Sequence, residues 1–324
     1  MYGINLFIFV LINIIILIIS ENFNNAADKR SIIDLKIKGK DFQQILGSDL
    51  LPDLIYLNGN ITIIDDSGKI FIESDNEINK VTLIWNQKIN NCEFLFQFSS
   101  NITEIDLSNF DTSIVTSMIS MFENCENLEY IRFGNINTSS VLYMSNMFSN
   151  CLSLLSLDLS KFDTSKVLYM QNMFYQCFLL TSLDITNFNT SKVETIESMF
   201  YGCQSLLELD LSYMDVSNVI NMEYLFRECY SLTSLNLNNF YTPNAIYMKG
   251  LFVDCHSLEI LDLSYLETSN AIDMSYMFCN CESLTFLNLT NFDTFLVEDM
   301  ECMFCQSSSL IYVDISTFDT TNVK

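Results

Sequence analysis

From residue 102 onward the apolar and polar positions of this chain repeat with a constant period. Cys125, Cys151, Cys177, Cys203, Cys229, Cys255 and Cys281 lie 26 residues apart, and so do Phe122, Phe148, Phe174, Phe200, Phe226, Phe252, Phe278 and Phe304. The period never slips, so residues 102–309 divide into eight full units and a partial ninth runs to Lys324. Two patterns follow one another within each unit. Inward Leu157 and Leu159 flank outward Asp158, the two-residue alternation of a strand. After the turn signal KFDTS, residues Val167, Met170, Phe174 and Cys177 fall at i, i+3, i+7 and i+10, the stripe of an amphipathic helix. Ser165 stands where an N-cap belongs, and Ser191 with Glu194 has the spacing of a capping box. A helix of about ten residues is too short to hold alone, so packing on neighbouring units has to stabilise it.

A period in the twenties with Leu-x-x-Leu-x-Leu spacing, as at Leu154, Leu157 and Leu159, predicts an α/β leucine-rich-repeat solenoid over residues 102–324. A parallel β-sheet is expected on its concave face and short helices on its convex face. Strands sit about 4.8 Å apart whereas packed helices need about 8 to 10 Å, which predicts a curved array. The Met and Phe columns then fill the space between units, each buried aromatic contributing about 2 to 3 kcal/mol. Upstream, alternating apolar residues in SIIDLKIKG and VTLIWNQKI, with turn signals LNGN and DDSGK, predict a β-rich N-terminal cap over residues 31–101. Such a cap covers the open apolar end of the first unit. Residues 21–30 read as a polar linker. Residues 1–20, apolar and without a charge, read as a secretory signal peptide or an uncleaved signal anchor.

The motif Cys-x-x-Leu-x-x-Leu-Asp-Leu-Ser-x-Phe-x-Thr-Ser-x-Val-x-x-Met-x-x-Met-Phe-x-x-Cys, complete in residues 151–177, resembles the BspA-like leucine-rich-repeat surface proteins. The resemblance covers roughly residues 96–324, more than two thirds of the chain. It implies a protein that is secreted or displayed at the cell surface and engaged in adhesion and recognition.

Composition narrows the chemistry. The chain has 324 residues, 49% of them hydrophobic, with only two prolines and eight glycines, and a net charge of -25. That acidity excludes nucleic acid as an expected partner, because phosphates need Lys and Arg against them. Five sequons begin at Asn60, Asn101, Asn137, Asn189 and Asn288 and offer glycosylation sites if the chain is secreted into a glycosylating compartment.

Several columns invite functional readings. The seven-cysteine column ends each apolar stripe and reads as a buried thiol ladder. Cys279, Cys281, Cys302 and Cys305 superficially match four zinc ligands, but Cys281 belongs to the ladder. A Cys279–Cys305 disulfide needs Cα atoms within about 7 Å, closer than packed helices allow. Metal, disulfide and free thiols stay open there. The Thr column, from Thr112 to Thr320, reads as helix capping, with a flat binding lattice as the alternative. His256 is the lone histidine, and neither a Gly-x-Ser-x-Gly turn nor a Gly-rich phosphate loop occurs, so neither an enzyme nor a cofactor is expected.

The predicted strands present one outward acidic column, Asp106, Asp158, Asp184, Asp210, Asp262 and Asp314, interrupted by Arg132, Asn236 and Asn288. A second outward column becomes apolar at its end, in Ile260, Phe286 and Tyr312. The reading that follows is a non-enzymatic secreted or surface recognition protein. It would bind a protein or glycan, basic if the Asp column is used, on the concave face. Membrane attachment would come only through the N-terminal segment or an anchor beyond Lys324. The alternative is a structural coat or spacer with no specific ligand.

Overall fold

The computed structural model describes residues 30–73 and 78–324. The segment read as a signal peptide or anchor, and the linker up to residue 29, lie outside the described residues.

The N-terminal strands are β1 (Ser31–Ile37), β2 (Asp41–Gln44), β3 (Leu54–Leu57), β4 (Asn60–Thr62), β5 (Lys69–Ile72) and β6 (Asn79–Trp85). In β1 the alternation of the sequence becomes burial, with Ile33, Leu35 and Ile37 inward and Asp34 outward. The strands β7 (Ile102–Asn109) and β8 (Tyr130–Arg132) come from the first two repeats. They join β4-β3-β6-β1-β7-β8 in one six-stranded sheet, where β1 runs antiparallel to β7 and β7 parallel to β8. The first repeat is therefore fused to the N-terminal region through a shared sheet. A separate antiparallel pair joins β2 to β5.

Beyond β8 each repeat forms one rung of a stack. Three-residue strands β9 (Glu208–Asp210) and β10 (Ser234–Asn236) pair in parallel, as do β11 (Phe286–Asn288) and β12 (Tyr312–Asp314). On the other side, parallel bridges link Ser117, Tyr143, Tyr169, Thr195, Asn221, Tyr247, Asp273 and Asp299 in turn, one residue per rung.

The expected leucine-rich-repeat solenoid, α/β with helices on one face and a continuous sheet on the other, is corrected by this architecture. Among the described residues there is no helix, and the strand side consists of small separate sheets. Where the helix was expected, the backbone makes successive reverse turns. In residues 170–177 the Met173 N–H donates to the Met170 carbonyl (3.2 Å), Tyr175 to Asn172 (3.1 Å) and Cys177 to Phe174 (3.2 Å). The alternate N–H groups of Met170, Asn172, Phe174 and Gln176 donate instead to the next rung, at Thr195, Glu197, Met199 and Tyr201. Two residues per rung are left-handed, for example Asn172 (φ 56°) and Gln176 (φ 55°), then Ser198 and Gly202 in the following rung. A helix cannot contain them.

The physical reason the pattern misleads is spacing. Two turns set four residues apart bury Met170, Met173, Phe174 and Cys177, which is i, i+3, i+4 and i+7, the same pattern a helix gives. Ser165 and Ser191 are not helix caps. Their N–H groups donate to the carboxylate of Asp163 (3.0 Å) and the side-chain oxygen of Asn189 (3.2 Å). The predicted curvature also loses its cause. Phe rings in successive rungs stack with centroids 5.5 to 5.9 Å apart, from Phe96 through Phe304, so this side advances at strand spacing rather than helix spacing.

Between the two sides lies a continuous core of Met, Phe, Cys, Leu and Val columns, most of it without solvent contact. Replacing Phe200 with Ala should open a cavity between two stacked neighbours and destabilise the protein by about 3 to 5 kcal/mol in denaturant titration. Asn172 discriminates turn from helix. With a left-handed backbone there, Asn172→Gly should be nearly neutral and Asn172→Ala should destabilise by about 1 kcal/mol. A helix would reverse the order, favouring Ala by about 1 kcal/mol.

Candidate functional site

The outward Asp column begins with local chemistry. Asp158 Oδ1 accepts hydrogen bonds from the Ser160 N–H (3.1 Å) and hydroxyl (2.6 Å), and Asp184 accepts from the same groups of Thr186 (3.1 and 2.7 Å). Asp106, Asp210, Asp262 and Asp314 hold the N–H two residues on in the same way. These are Asx turns, which end the short strand and start the bend that follows. The hydroxyl and amide of Ser160 depress the Asp158 carboxyl below its ordinary range, and those of Thr186, Ser212 and Ser316 do so for Asp184, Asp210 and Asp314.

A second Asx column, at Asp111, Asp163, Asp215 and Asp293, closes the next bend. Asp111 is pushed down to about 2, chiefly by Lys88 and then by Ser113. This chemistry also accounts for three of the five sequons. Asn137, Asn189 and Asn288 occupy Asx-turn positions, each accepting from the N–H and hydroxyl of the residue two on. At these positions the Asn-x-Ser/Thr motif also serves the turn. Asn60 is exposed at the start of β4, and Asn101 is half-buried with its amide on Gln43.

The structure keeps the acidic strip short. Arg132 Nε lies 3.5 Å from Asp106, and Asn236 Nδ2 donates to Asp210 (3.0 Å), so two of the interrupting residues answer their neighbours. The unbroken run is Asp158, Asp184 and Asp210. A hollow of about 500 Å³ lies beside its last two members, lined by Ser182, Asp184, Thr186, Glu208, Asp210 and Asn236, among others. The wider field is acidic too. Residues 102–324 hold 28 of the 40 Asp and Glu residues but only seven of the 15 Lys and Arg.

The second outward column ends as an exposed apolar strip. Ile260 is 77% exposed, Phe286 52% and Tyr312 49%, and the rings of Phe286 and Tyr312 stack with centroids 5.1 Å apart. The Tyr312 hydroxyl donates to Asp314 (3.2 Å), which ties this strip to the acidic column.

Other columns turn inward. Thr164 is buried, and its hydroxyl both donates to the Asn189 carbonyl (2.9 Å) and accepts from the Asn189 N–H (2.8 Å) one rung on. Neither helix capping nor an exposed lattice describes the Thr column, which stitches rungs together. The cysteine ladder is buried, and each thiol donates to the carbonyl of the Phe 29 residues earlier, as Cys177 does to Phe148 (3.2 Å). Burial pushes the Cys203 and Cys281 thiols up to about 12. Cys279, Cys302 and Cys305 are only partly covered. The helix-based distance objection to joining Cys279 and Cys305 falls with the helices, since the adjacent Phe278 and Phe304 rings lie 5.7 Å apart. Among the described residues no group of three or more His, Cys, Asp or Glu side chains is placed to hold a metal ion. His256 stacks on Tyr230 (4.9 Å) and lies 3.8 Å from Asp254, while the hydroxyl of Ser257 is engaged by the Tyr230 carbonyl.

Sequence reasoning missed the mixed-charge hollow of about 430 Å³ on the six-stranded sheet, where Lys36 pairs with Glu104 (2.6 Å) beside Asp34, Lys80, Asp106 and Arg132. The alternation of Asp34 with Lys36 in β1 was the available signal.

Three overlapping segments, residues 90–182, 179–285 and 246–324, match the family described as "Mycoplasma protein of unknown function, DUF285". The chain belongs to this family. No curated protein and no solved structure matches the chain. The DUF285 matches span the rungs and begin just ahead of the first Phe of the stack, Phe96, leaving the N-terminal strands outside them.

The depressed Asp values give a pH dependence with a definite sign. A carboxyl whose folded value lies below its unfolded one stabilises the fold above the unfolded value, near 3.9. That stabilisation disappears as pH falls through the folded value. Chemical-denaturation midpoints should therefore drop as pH is lowered from about 4 toward 2. In the Asp158→Asn, Asp184→Asn, Asp210→Asn variant the drop should be shallower, because Asn keeps the turn, as Asn137 and Asn189 do, without titrating.

Proposed function

We propose that the protein is a secreted or cell-surface recognition protein that holds a protein or glycan partner on the strand-bearing face of its rungs, without catalysing a reaction. The observation that carries this reading is the exposed strip of Ile260, Phe286 and Tyr312. The repeat tolerates polar groups there, since after Tyr130 the same column holds Ser156, Ser182, Glu208 and Ser234 before turning apolar. Flat stacked rings offer a partner apolar area at low entropy cost, and aromatic residues are favoured at recognition surfaces. The resemblance of residues 151–177 to the BspA-like surface proteins supports the same role and location.

The acidic run Asp158, Asp184 and Asp210 would steer a basic partner, an effect that weakens with salt. A second reading, a coat or spacer without a specific ligand, is favoured by the Asx turns, which give every residue of the Asp column a structural use.

The test is a panel of glycans and surface proteins screened against the wild-type protein and a Phe286→Ser, Tyr312→Ser variant. Recognition predicts at least one ligand whose affinity falls about tenfold or more in the variant, the scale of a contact residue. Its salt dependence should flatten in the triple Asn variant. Absence of any ligand would favour the spacer reading, and a ligand bound equally by all variants would take the contact site off this strip.

A further inference from the structure

The three partly covered cysteines do not belong to the buried ladder, and two of them share one turn. The Cys305 N–H donates to the Cys302 carbonyl (3.1 Å), so these residues are the first and last of a hydrogen-bonded reverse turn. Such a turn brings its end Cα atoms within about 7 Å, inside the span a disulfide bridges. Between them Met303 is buried and Phe304 packs against the core, while Cys302 and Cys305 stay on the open side. The neighbouring Cys305 side chain is the chief influence on the Cys302 thiol, raising it above its ordinary value.

Neither thiol serves the rung. Equivalent positions one to six rungs earlier hold Tyr276 and Cys279, Gly250 and Val253, Tyr224 and Arg227, Ser198 and Tyr201, Asn172 and Tyr175, Asn146 and Ser149. Hydroxyl and aromatic groups occur in both columns, amides in the first and a charged Arg in the second, so a Cys at both in one rung is a departure the stack does not demand. The ladder cysteines contrast with this, recurring in seven consecutive rungs with their thiols bonded to backbone.

We propose that Cys302 and Cys305 form a redox-active dithiol that closes to a disulfide by exchange with a disulfide-bearing oxidant. One thiolate attacks the oxidant's S–S bond, forming a mixed disulfide and releasing one thiol. The second thiolate then attacks the protein sulfur of that mixed disulfide, releasing the other thiol. The pair gives up two electrons and two protons, and the oxidant becomes two thiols. The closed loop is short, so it removes little chain entropy from the unfolded state. The bond is accordingly an exchangeable site rather than a staple for the fold.

The experiment equilibrates the full-length protein with oxidised and reduced glutathione at graded ratios, traps free thiols by alkylation under native conditions, and maps the modified peptides. The expected result is a Cys302–Cys305 linkage that forms and reverses with the ratio, with Cys279 remaining alkylatable and the ladder unreactive until unfolding. Cys302→Ser and Cys305→Ser should each leave the remaining partner as a stable mixed disulfide with glutathione, raising that adduct at least tenfold over wild type. Ser already occupies each column elsewhere, at Ser198 and Ser149, so these variants keep the rung. The proposal is overturned if both thiols stay free in oxidised glutathione, or if the linkage found joins Cys279 to Cys305 or joins two chains.

Discussion

The stack depends on how the double-turn segment divides its backbone hydrogen bonds. Of the N–H groups from Met170 to Cys177, those of 170, 172, 174 and 176 reach across to the next rung, and those of 173, 175 and 177 close turns within their own. Buried backbone groups must be satisfied, and this division does so without a helix or a regular strand. It has two requirements. The rungs must approach to strand distance, which is why the Phe rings stack at 5.5 to 5.9 Å. Two residues per rung must also turn left-handed, which is why Asn and Gly recur there, as in Asn146, Asn150, Asn172, Gly202 and Gly250.

Once the rungs sit that close, side chains between them have to match partner for partner. Thr164 fits because a hydroxyl can donate and accept at once, answering both backbone groups of Asn189. Cys177 fits because a thiol is small, apolar and still able to donate to the Phe148 carbonyl. The same logic reaches the surface. Asp158 and Asp163 hold the bends on either side of Phe162, so acidic residues that look like a binding stripe are first of all turn formers. Their negative charge is a by-product that any partner nonetheless meets.

Much of this was legible in the sequence. The 26-residue period, the inward columns and the exposed end at Ile260, Phe286 and Tyr312 can all be read from residue spacing. The turn-for-helix error could not be avoided from hydrophobicity, because Met170, Met173, Phe174 and Cys177 have one spacing under both structures. The signal that separates them is conformational: Asn and Gly concentrate at the two left-handed positions, where a helix would favour neither. The use of the Asp column was likewise written in its Asp-x-Ser spacing, which marks a side chain bonded to its own backbone before it marks a ligand. The mixed-charge hollow was harder to see, since it forms only when β1, β6, β7 and β8 are brought together from distant parts of the chain.

A strict repeat offers its own control for assigning function. A residue present in every rung is explained by the rung, and a residue present in one or two rungs needs another reason. Cysteine occupies both classes. In the ladder, burial drives thiols such as Cys203 up to about 12, so the thiolate that redox chemistry requires is withheld. Cys302 and Cys305 share one turn and are only partly covered, so that, although the neighbouring Cys305 side chain raises the Cys302 thiol, neither is sealed from solvent as the ladder is. Phe divides in the same way: Phe174 is sealed in the stack, while Phe286 lies half outside it in a column that other rungs fill with Ser, Glu, Ile or Tyr. Residue type alone therefore says little about role here. The column a residue occupies, and whether that column is obligatory, carries the chemistry.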